Sequence, residues 1–138
     1  MLTIVPSSAP PPRAARGDYA PAEIEAMQRA VINILARWEV SDIDAAVILG
    51  GIAPKTFRRW KEGEYGRVNR DLADRMSRLL GIHKALRIVF ADPGRGYAWM
   101  RRPNAAFRGR TALEVLGDGG MDDLIRVRRY LDAVRGGW

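Results

Sequence analysis

The chain has 138 residues, of which 47% are hydrophobic, and it carries a formal net charge of +7. This length suits one ordinary domain, or two very small ones that share a core. The sequence contains no cysteine, which excludes disulfides and thiolate metal sites and fits the reducing cytoplasm where we expect the protein to act. No apolar run approaches the roughly 20 residues of a membrane span, so we expect no membrane association.

The positive charge, nearly all of it arginine, bears on the kind of partner. A basic balance favours a polyanion, most often nucleic acid, because phosphate contacts supply affinity whatever the base sequence. A protein with a well-solvated cationic surface would show the same balance, so charge alone leaves both interpretations open.

In chain order, a tail and then a helix are predicted. Residues 1–18 are rich in proline, alanine and serine, lack the pattern of a signal peptide, and are expected to form a flexible tail. A helix is predicted over residues 20–38, because apolar residues recur there at alternating steps of three and four. We expect this apolar face to be core: Ile24, Met27, Val31, Ile34 and Trp38.

Two short helices joined by a glycine turn are predicted next. Ser41 and Asp44 have the spacing of a capping box at the start of the first of them. Gly50-Gly51 ends that helix and supplies a turn that can enter the left-handed region. Pro54 begins the other short helix, which ends near Gly63.

Residues 41–63 resemble the helix-turn-helix of Xre-type repressors, above all in Ala45-Ala46, Leu49-Gly50 and the run over residues 54–60. Small residues let two helices cross closely, and Phe57 and Trp60 are expected to fix the second helix to the core. The polar face of that helix would then enter the major groove of DNA through four side chains: Lys55, Thr56, Arg58 and Arg59. The other interpretation is a scaffold of this shape that serves dimerisation, with solvated arginines.

A long fourth helix is predicted from the cap Asn69 to about Phe90. Its apolar stripe widens to more than one side, so we expect it to be the central packing element. The stripe comprises Leu72, Met76, Leu79, His83, Leu86 and Phe90. His83, the one histidine of the chain, is expected to be a core residue rather than a metal ligand.

The C-terminal third is predicted to be helical as well. Asp92-Pro93-Gly94 is expected to break the chain before one or two helical turns over residues 97–100. Thr111 and Glu114 form a second capping-box pattern. The last helix is predicted to begin at Met121 or Asp122 and to end at Gly136-Gly137. No segment shows sustained alternation, so we predict an all-α fold without a sheet.

Residues 99–116 carry the most specific pattern of the chain: Pro103-Asn104, then Phe107-x-Gly109, then Thr111-x-Leu113-Glu114-x-Leu116. With the glycine turn and final helix that follow, this segment resembles the toxin-binding domain of the MbcA/ParS/Xre antitoxins. The resemblance covers roughly residues 24–138. Ala112 stands where many relatives have proline, and alanine also suits a first helical turn.

The resemblance implies a type II antitoxin that neutralises a RES-domain toxin, a NAD-consuming relative of ADP-ribosyltransferases, by occluding its active site. It also implies operator DNA as a second partner, autorepression of the operon, and a homodimer within a larger complex. The implied organisation is a helix-turn-helix domain over residues 19–91, joined by the long central helix to a toxin-binding domain over residues 92–138. Two alternatives remain: a stand-alone transcriptional regulator with a C-terminal dimerisation domain, and an adaptor without a DNA role.

The final helix and the residues after it are the candidate toxin-binding surface. The candidate residues are Arg126, Arg129, Arg135, Gly136, Gly137 and Trp138. Tryptophan is a frequent interface anchor, so we hypothesise that Trp138 inserts into the toxin's NAD cleft while Arg135 pairs with acidic groups nearby. The alternative is that Trp138 packs on its own domain or in an antitoxin dimer contact.

Catalytic chemistry finds little support in the sequence. A single histidine and no cysteine cannot build a zinc site. Asp122 and Asp123 are adjacent, so on a helix they diverge by about 100°, and we expect them to stabilise the helix N-terminus. Gly94-Arg95-Gly96 lacks the strand and the length of a phosphate-binding loop. We therefore expect no enzymatic activity, no cofactor and no metal.

Overall fold

A computed structural model describes residues 19–136 of the chain. The predicted tail of residues 1–18 lies outside the described residues, as do Gly137 and Trp138. The described part of the chain contains no strand, which confirms the all-α prediction, although Asn104 and Arg110 form one isolated antiparallel bridge. The helices are α1 (Pro21–Arg37), α2 (Asp42–Ile48), α3 (Pro54–Lys61), α4 (Arg70–Val89), α5 (Pro93–Met100), a 3-10 helix (Ala105–Phe107), α6 (Ala112–Leu116) and α7 (Met121–Gly136).

Helix α4 is the central packing element, as its wide apolar stripe predicts. It packs most extensively against α7 and next against α1, so the N-terminal and C-terminal parts of the chain share its two sides. Leu79, Ile82 and Leu86 are at most 1% exposed. Because α4 buries apolar side chains on two sides, its 20 residues show only a weak division into an apolar and a polar face.

The position of His83 differs from the expectation of a core histidine. Its ring is half-buried and stacks on Tyr97 of α5, with ring centroids 6.3 Å apart and an angle of 19° between the planes. Burial and the two neighbouring guanidinium groups of Arg87 and Arg37 lower the pKa of the imidazole, which is therefore neutral near pH 7. The stripe of α4 thus reaches the surface at this point.

Helix α5 begins earlier than the sequence indicates. Asp92 is its N-cap, with Oδ1 accepting from the backbone N of Gly94 at 3.4 Å, and Pro93 occupies the first helical turn. Asp-Pro-Gly therefore starts a helix here instead of only breaking the chain, because proline lacks the N–H that a first turn leaves unused. Gly96 is buried at the contact between α5 and Phe90.

The two predicted capping boxes have different outcomes. At α6, Glu114 N donates to Thr111 Oγ1 at 3.0 Å and Thr111 N donates to Glu114 Oε1 at 2.8 Å, so the box is complete. At α2, Ser41 Oγ accepts from Asp44 N at 3.1 Å without the reciprocal bond. The aspartate side chain is one methylene shorter than the glutamate of a full box, which explains the missing half.

Candidate DNA-binding and partner-binding surfaces

Helices α2 and α3 form the predicted helix-turn-helix. The turn between them passes through Gly50 at φ +97° and Gly51 at φ +90°, a region that side-chain-bearing residues rarely adopt. Ala45 and Ala46 on α2 are buried, and their small side chains allow α3 to approach. Small residues at the crossing and glycines at the turn thus produce the two-helix unit that the sequence predicts.

Helix α3 has one apolar and one cationic side. Phe57 and Trp60 are 3% and 1% exposed and contact each other, with ring centroids 5.9 Å apart. The four candidate DNA-binding residues lie elsewhere on the helix: Lys55, Arg58 and Arg59 are exposed and Thr56 is half-buried. The three cations line one shallow depression together with Glu62. The structure therefore presents a basic helix face of the kind that enters a major groove.

Lys61, which the sequence analysis did not single out, fastens α3 to α2. Its ammonium group forms an ion pair with Asp42 at the start of α2 and lies 5.6 Å from the ring centroid of Phe57. This lysine is therefore engaged within the protein, in contrast to Lys55 on the same helix. The i and i+4 spacing from Phe57 was the available sequence signal for the second contact.

The candidate toxin-binding arginines of α7 do not lie on one surface. Arg126 and Arg129 are three residues apart and both exposed, whereas Arg135 lies on the same side of the helix as Arg128. Asp132 lies between Arg128 and Arg135. Its Oδ1 accepts a hydrogen bond from Arg128 Nε at 3.0 Å and lies 3.7 Å from Arg135 Nη2. Gly136 is the exposed last residue of α7. The other two candidates, Gly137 and Trp138, lie outside the described residues.

An aromatic cluster beside Arg126 was missed by the sequence analysis. Trp99 of α5 and Tyr130 of α7 stack with centroids 5.8 Å apart and planes 10° from parallel. Phe107 lies 5.4 Å from Tyr130, and the guanidinium of Arg126 lies 5.5 Å from the Phe107 centroid. Phe90 completes the cluster at 6.3 Å from Trp99. Phe107 is buried and the other three are half-buried, so the cluster presents ring surface together with a cation.

A salt bridge ties together the two ends of α6. Arg110 donates to both carboxylate oxygens of Asp118, at 2.9 and 2.8 Å, and to the carbonyl oxygen of Glu114 at 2.9 Å. The hydrogen bonds from Arg110, followed by its positive charge, lower the pKa of the Asp118 carboxyl. This bidentate pair holds the loop after the 3-10 helix against the loop that leads into α7.

The described residues, 19–136, hold neither a metal-binding cluster nor a membrane-spanning helix. These residues contain no group of three or more His, Asp or Glu side chains arranged to hold a metal ion. None of their helices is long and apolar enough to cross a membrane.

Comparison with known proteins places both parts of the chain. The family model described as Antitoxin Xre-like helix-turn-helix domain matches residues 25–81, and the one described as Antitoxin Xre/MbcA/ParS C-terminal toxin-binding domain matches residues 85–137. "Uncharacterized protein y4oB" of Sinorhizobium fredii is 44% identical over 117 residues, which are 85% of this chain and 87% of the relative.

Among solved structures, the crystal structure of the M. tuberculosis MbcT–MbcA toxin–antitoxin complex contains a similar chain. The TM-score is 0.56 at 21% identity, over 80% of this chain and 95% of that one, a likeness that concerns the fold. The two family models thus match consecutive segments of one polypeptide. The fold of this polypeptide is similar to that of a chain in the MbcT–MbcA complex. The chain therefore belongs to the Xre/MbcA/ParS family and is an antitoxin of a toxin–antitoxin system, with a helix-turn-helix domain and a toxin-binding domain.

Proposed function

We propose that this antitoxin neutralises a RES-domain, NAD-consuming toxin by occluding its active site, and that it represses its own operon by binding operator DNA. The match of residues 85–137 to a toxin-binding domain carries the first half of the proposal. The structurally similar chain comes from a toxin–antitoxin complex, which supports a protein partner of this kind. The antitoxin acts by contact, without a cofactor and without a reaction of its own.

The aromatic cluster and its cation are the part of the C-terminal surface best suited to such a partner. Aromatic residues and arginine are enriched where interfaces gain most of their binding energy. Trp99 and Tyr130 come from different helices but stack rigidly, so little side-chain entropy is lost when a partner covers them. Arg126 beside them suits a partner with an acidic rim, and Arg129, one helical turn away, extends the same face.

Autorepression is supported by the cationic face of α3. Lys55, Arg58 and Arg59 are exposed on a helix whose opposite side is anchored in the core. Three cations on one helix face can contact phosphates or base edges without rearrangement of the fold. We propose a homodimer within a larger toxin–antitoxin assembly, because a two-fold dimer presents two such helices to a symmetric operator.

We propose that the two functions belong to two domains of the chain. The helix-turn-helix domain comprises residues 19–91 and the toxin-binding domain residues 92–138, with α4 as the element that joins them. We further propose that the complex acts in the cytoplasm, where both the operator and NAD are found.

Co-expression with the product of the adjacent gene tests the proposal. We expect the toxin alone to arrest growth, and the antitoxin to restore growth and to co-purify with the toxin. The variant Arg126→Ala/Tyr130→Ala should lose rescue and co-purification, whereas the matched control Arg29→Ala/Tyr65→Ala, on α1 and in the loop after α3, should retain both. A folded antitoxin that neither rescues growth nor co-purifies would contradict a toxin-neutralising role with this partner.

A further inference from the structure

A groove between α1, α4 and α5 lies apart from both surfaces described above. It has a volume of about 450 Å³, which is within the range of small-ligand sites. Apolar side chains from the three helices form part of its lining: Ala30, Ile34, Leu80 and Pro93. The stacked rings of His83 and Tyr97 form another part, and Asn33 contributes an amide.

The polar side of this groove is cationic. Arg37 comes from the last turn of α1 and Arg87 from the last turn of α4, so two exposed arginines from different helices line one concave surface. His83 lines the same groove, and its pKa is lowered by burial first and then by the positive charges of Arg87 and Arg37. Among residues 19–136, neither guanidinium forms an ion pair with a carboxylate.

Arg37 and Arg87 thus differ from those arginines of the described residues whose charge is offset by a carboxylate. Arg75, Arg101, Arg110 and Arg128 each pair with a carboxylate within 3.3 Å. The nearest acidic residue along α5 is Asp92, and its carboxylate caps that helix through Gly94. Two cations that line one groove without a carboxylate partner among residues 19–136 are favourably placed to receive an anion.

We propose that this groove binds a small phosphate dianion, either inorganic phosphate or the phosphomonoester of a mononucleotide. Two guanidinium groups match the two charges of a phosphate dianion, and each can donate two parallel hydrogen bonds to its oxygens. The amide of Asn33 adds a neutral donor. The apolar lining provides space for the remainder of an ester without requiring further charge.

His83 reports on the site directly because it is the only histidine of the chain. A dianion held by Arg37 and Arg87 offsets their positive charge, so the pKa of the imidazole must rise when the groove is filled. NMR spectra of the His83 ring protons in the full-length protein should therefore shift saturably with inorganic phosphate at constant ionic strength. We expect a dissociation constant on the order of 1 mM or tighter.

Three probes and matched variants define the test. Phosphate, AMP and uncharged adenosine are titrated separately against chloride of equal ionic strength. Arg37→Gln/Arg87→Gln should weaken phosphate binding about tenfold or more, and Arg87→Gln alone should weaken it to a lesser degree if the double variant does not fold. Arg29→Gln/Arg95→Gln removes the same charge from exposed positions of α1 and α5 outside the groove and should bind as the wild type does.

The outcomes are distinct. Equal affinity for phosphate and AMP identifies a phosphate site, and tighter binding of AMP with no response to adenosine identifies a nucleotide site; both support the proposal. Shifts of His83 that chloride reproduces at the same ionic strength, or an Arg37→Gln/Arg87→Gln variant that binds as tightly as the wild type, overturn it.

Discussion

Arg75 of α4 connects the helix-turn-helix with the loop that precedes α7. Its Nη1 donates to the carbonyl oxygen of Gly119 at 2.7 Å, while its Nε donates to Asp71 at 2.9 Å. The side chain is only 12% exposed, and it lies so close to the turn after α2 that a Cβ on Gly50 would come within 2.7 Å of Nε. A single guanidinium therefore packs against the glycine turn and hydrogen-bonds the C-terminal loop.

This arrangement predicts that the two turn glycines tolerate alanine differently. Both have positive φ, so each substitution should cost about 1 kcal/mol in the free energy of unfolding. Gly51→Ala meets nothing within 4 Å, whereas Gly50→Ala must displace Arg75 and its hydrogen bond to Gly119. We expect Gly50→Ala to cost roughly 1 kcal/mol more in urea denaturation.

A double-mutant cycle provides the control for the turn. In an Arg75→Ala background the extra cost of Gly50→Ala should vanish, leaving it equal to Gly51→Ala. If Gly50→Ala and Gly51→Ala lower the free energy of unfolding equally in the wild-type background, Arg75 moves aside without a cost in stability, and the prediction is wrong.

The buried side of α4 should dominate stability. Leu86 is 1% exposed, so Leu86→Ala should cost about 2–5 kcal/mol through lost transfer energy and the cavity left behind. Ile88, two residues further on, is 48% exposed, and Ile88→Ala should change the free energy of unfolding by no more than about 0.5 kcal/mol. Guanidinium denaturation and hydrogen exchange across residues 70–89 measure both. Unprotected amides in α4 of the wild type would contradict its central role.

The Arg110–Asp118 pair should make stability depend on pH in the acid range. Because Arg110 lowers the pKa of Asp118 in the folded state, the carboxylate stabilises the fold above its unfolded pKa, near 3.8. This contribution is lost as the pH falls through the lower folded pKa. The wild type should therefore be more stable than Asp118→Asn near neutral pH, and the difference should begin to shrink below about pH 4 and vanish below the folded pKa of Asp118.

Salt provides the control for this pair. Both groups are exposed, so about 1 M NaCl should shrink the difference between wild type and Asp118→Asn at neutral pH. If the difference in stability between wild type and Asp118→Asn persists unchanged at low pH, loss of the carboxylate charge is not the cause of that difference.

Local patterns predicted much of the fold. Spacing of apolar residues identified the buried faces of α1 and α4, and the Thr111 pattern identified a complete capping box, because these features depend on residues within one or two turns. The start of α5 was wrong, since Asp-Pro-Gly is compatible with both a break and an N-cap followed by a first turn. The prediction of a core position for His83 was wrong, because spacing alone does not show that the apolar stripe of α4 reaches the surface beside Tyr97 of α5.

Features assembled from distant segments could not be read from spacing. Trp99, Phe107 and Tyr130 lie on three different elements, and only their packing reveals a common cluster. The same holds for Arg37 and Arg87, which are 50 residues apart in sequence. In contrast, the separation of Arg126 from Arg135 on α7 follows from about 100° of rotation per residue and was accessible from the sequence.

The cationic face of α3 should determine operator affinity. Arg58→Ala/Arg59→Ala should weaken operator binding and reduce the slope of log affinity against log salt by about two, one for each lost phosphate contact. Fluorescence anisotropy at several salt concentrations measures both quantities. Arg102→Ala/Arg108→Ala, which removes two exposed arginines between α5 and α6, serves as the control and should leave the slope unchanged.

Toxin neutralisation should survive in the Arg58→Ala/Arg59→Ala variant. If that variant is folded and its operator affinity is unchanged, the helix-turn-helix serves as a dimerisation scaffold and does not bind DNA through these arginines.

The C-terminal end should decide how the toxin is silenced. We predict that deletion of residues 136–138 abolishes neutralisation and leaves operator binding intact, because it removes Trp138, the proposed anchor in the NAD cleft. Trp138→Phe should retain part of the rescue and Trp138→Ala should not, since an aromatic ring is what the cleft would accept. Growth rescue under toxin co-expression measures each variant.

The structure suggests a competing site for the same function. Arg135, proposed to pair with the toxin, already lies 3.7 Å from Asp132, so a toxin carboxylate must compete with an internal partner for it. Within residues 19–136, Arg126 and Arg129 form no ion pair with a carboxylate, and the Arg126 guanidinium lies over the ring of Phe107, which contacts Tyr130. If the truncated protein still rescues growth while Arg126→Ala/Arg129→Ala does not, the blocking surface is this face of α7, and Trp138 is dispensable for neutralisation.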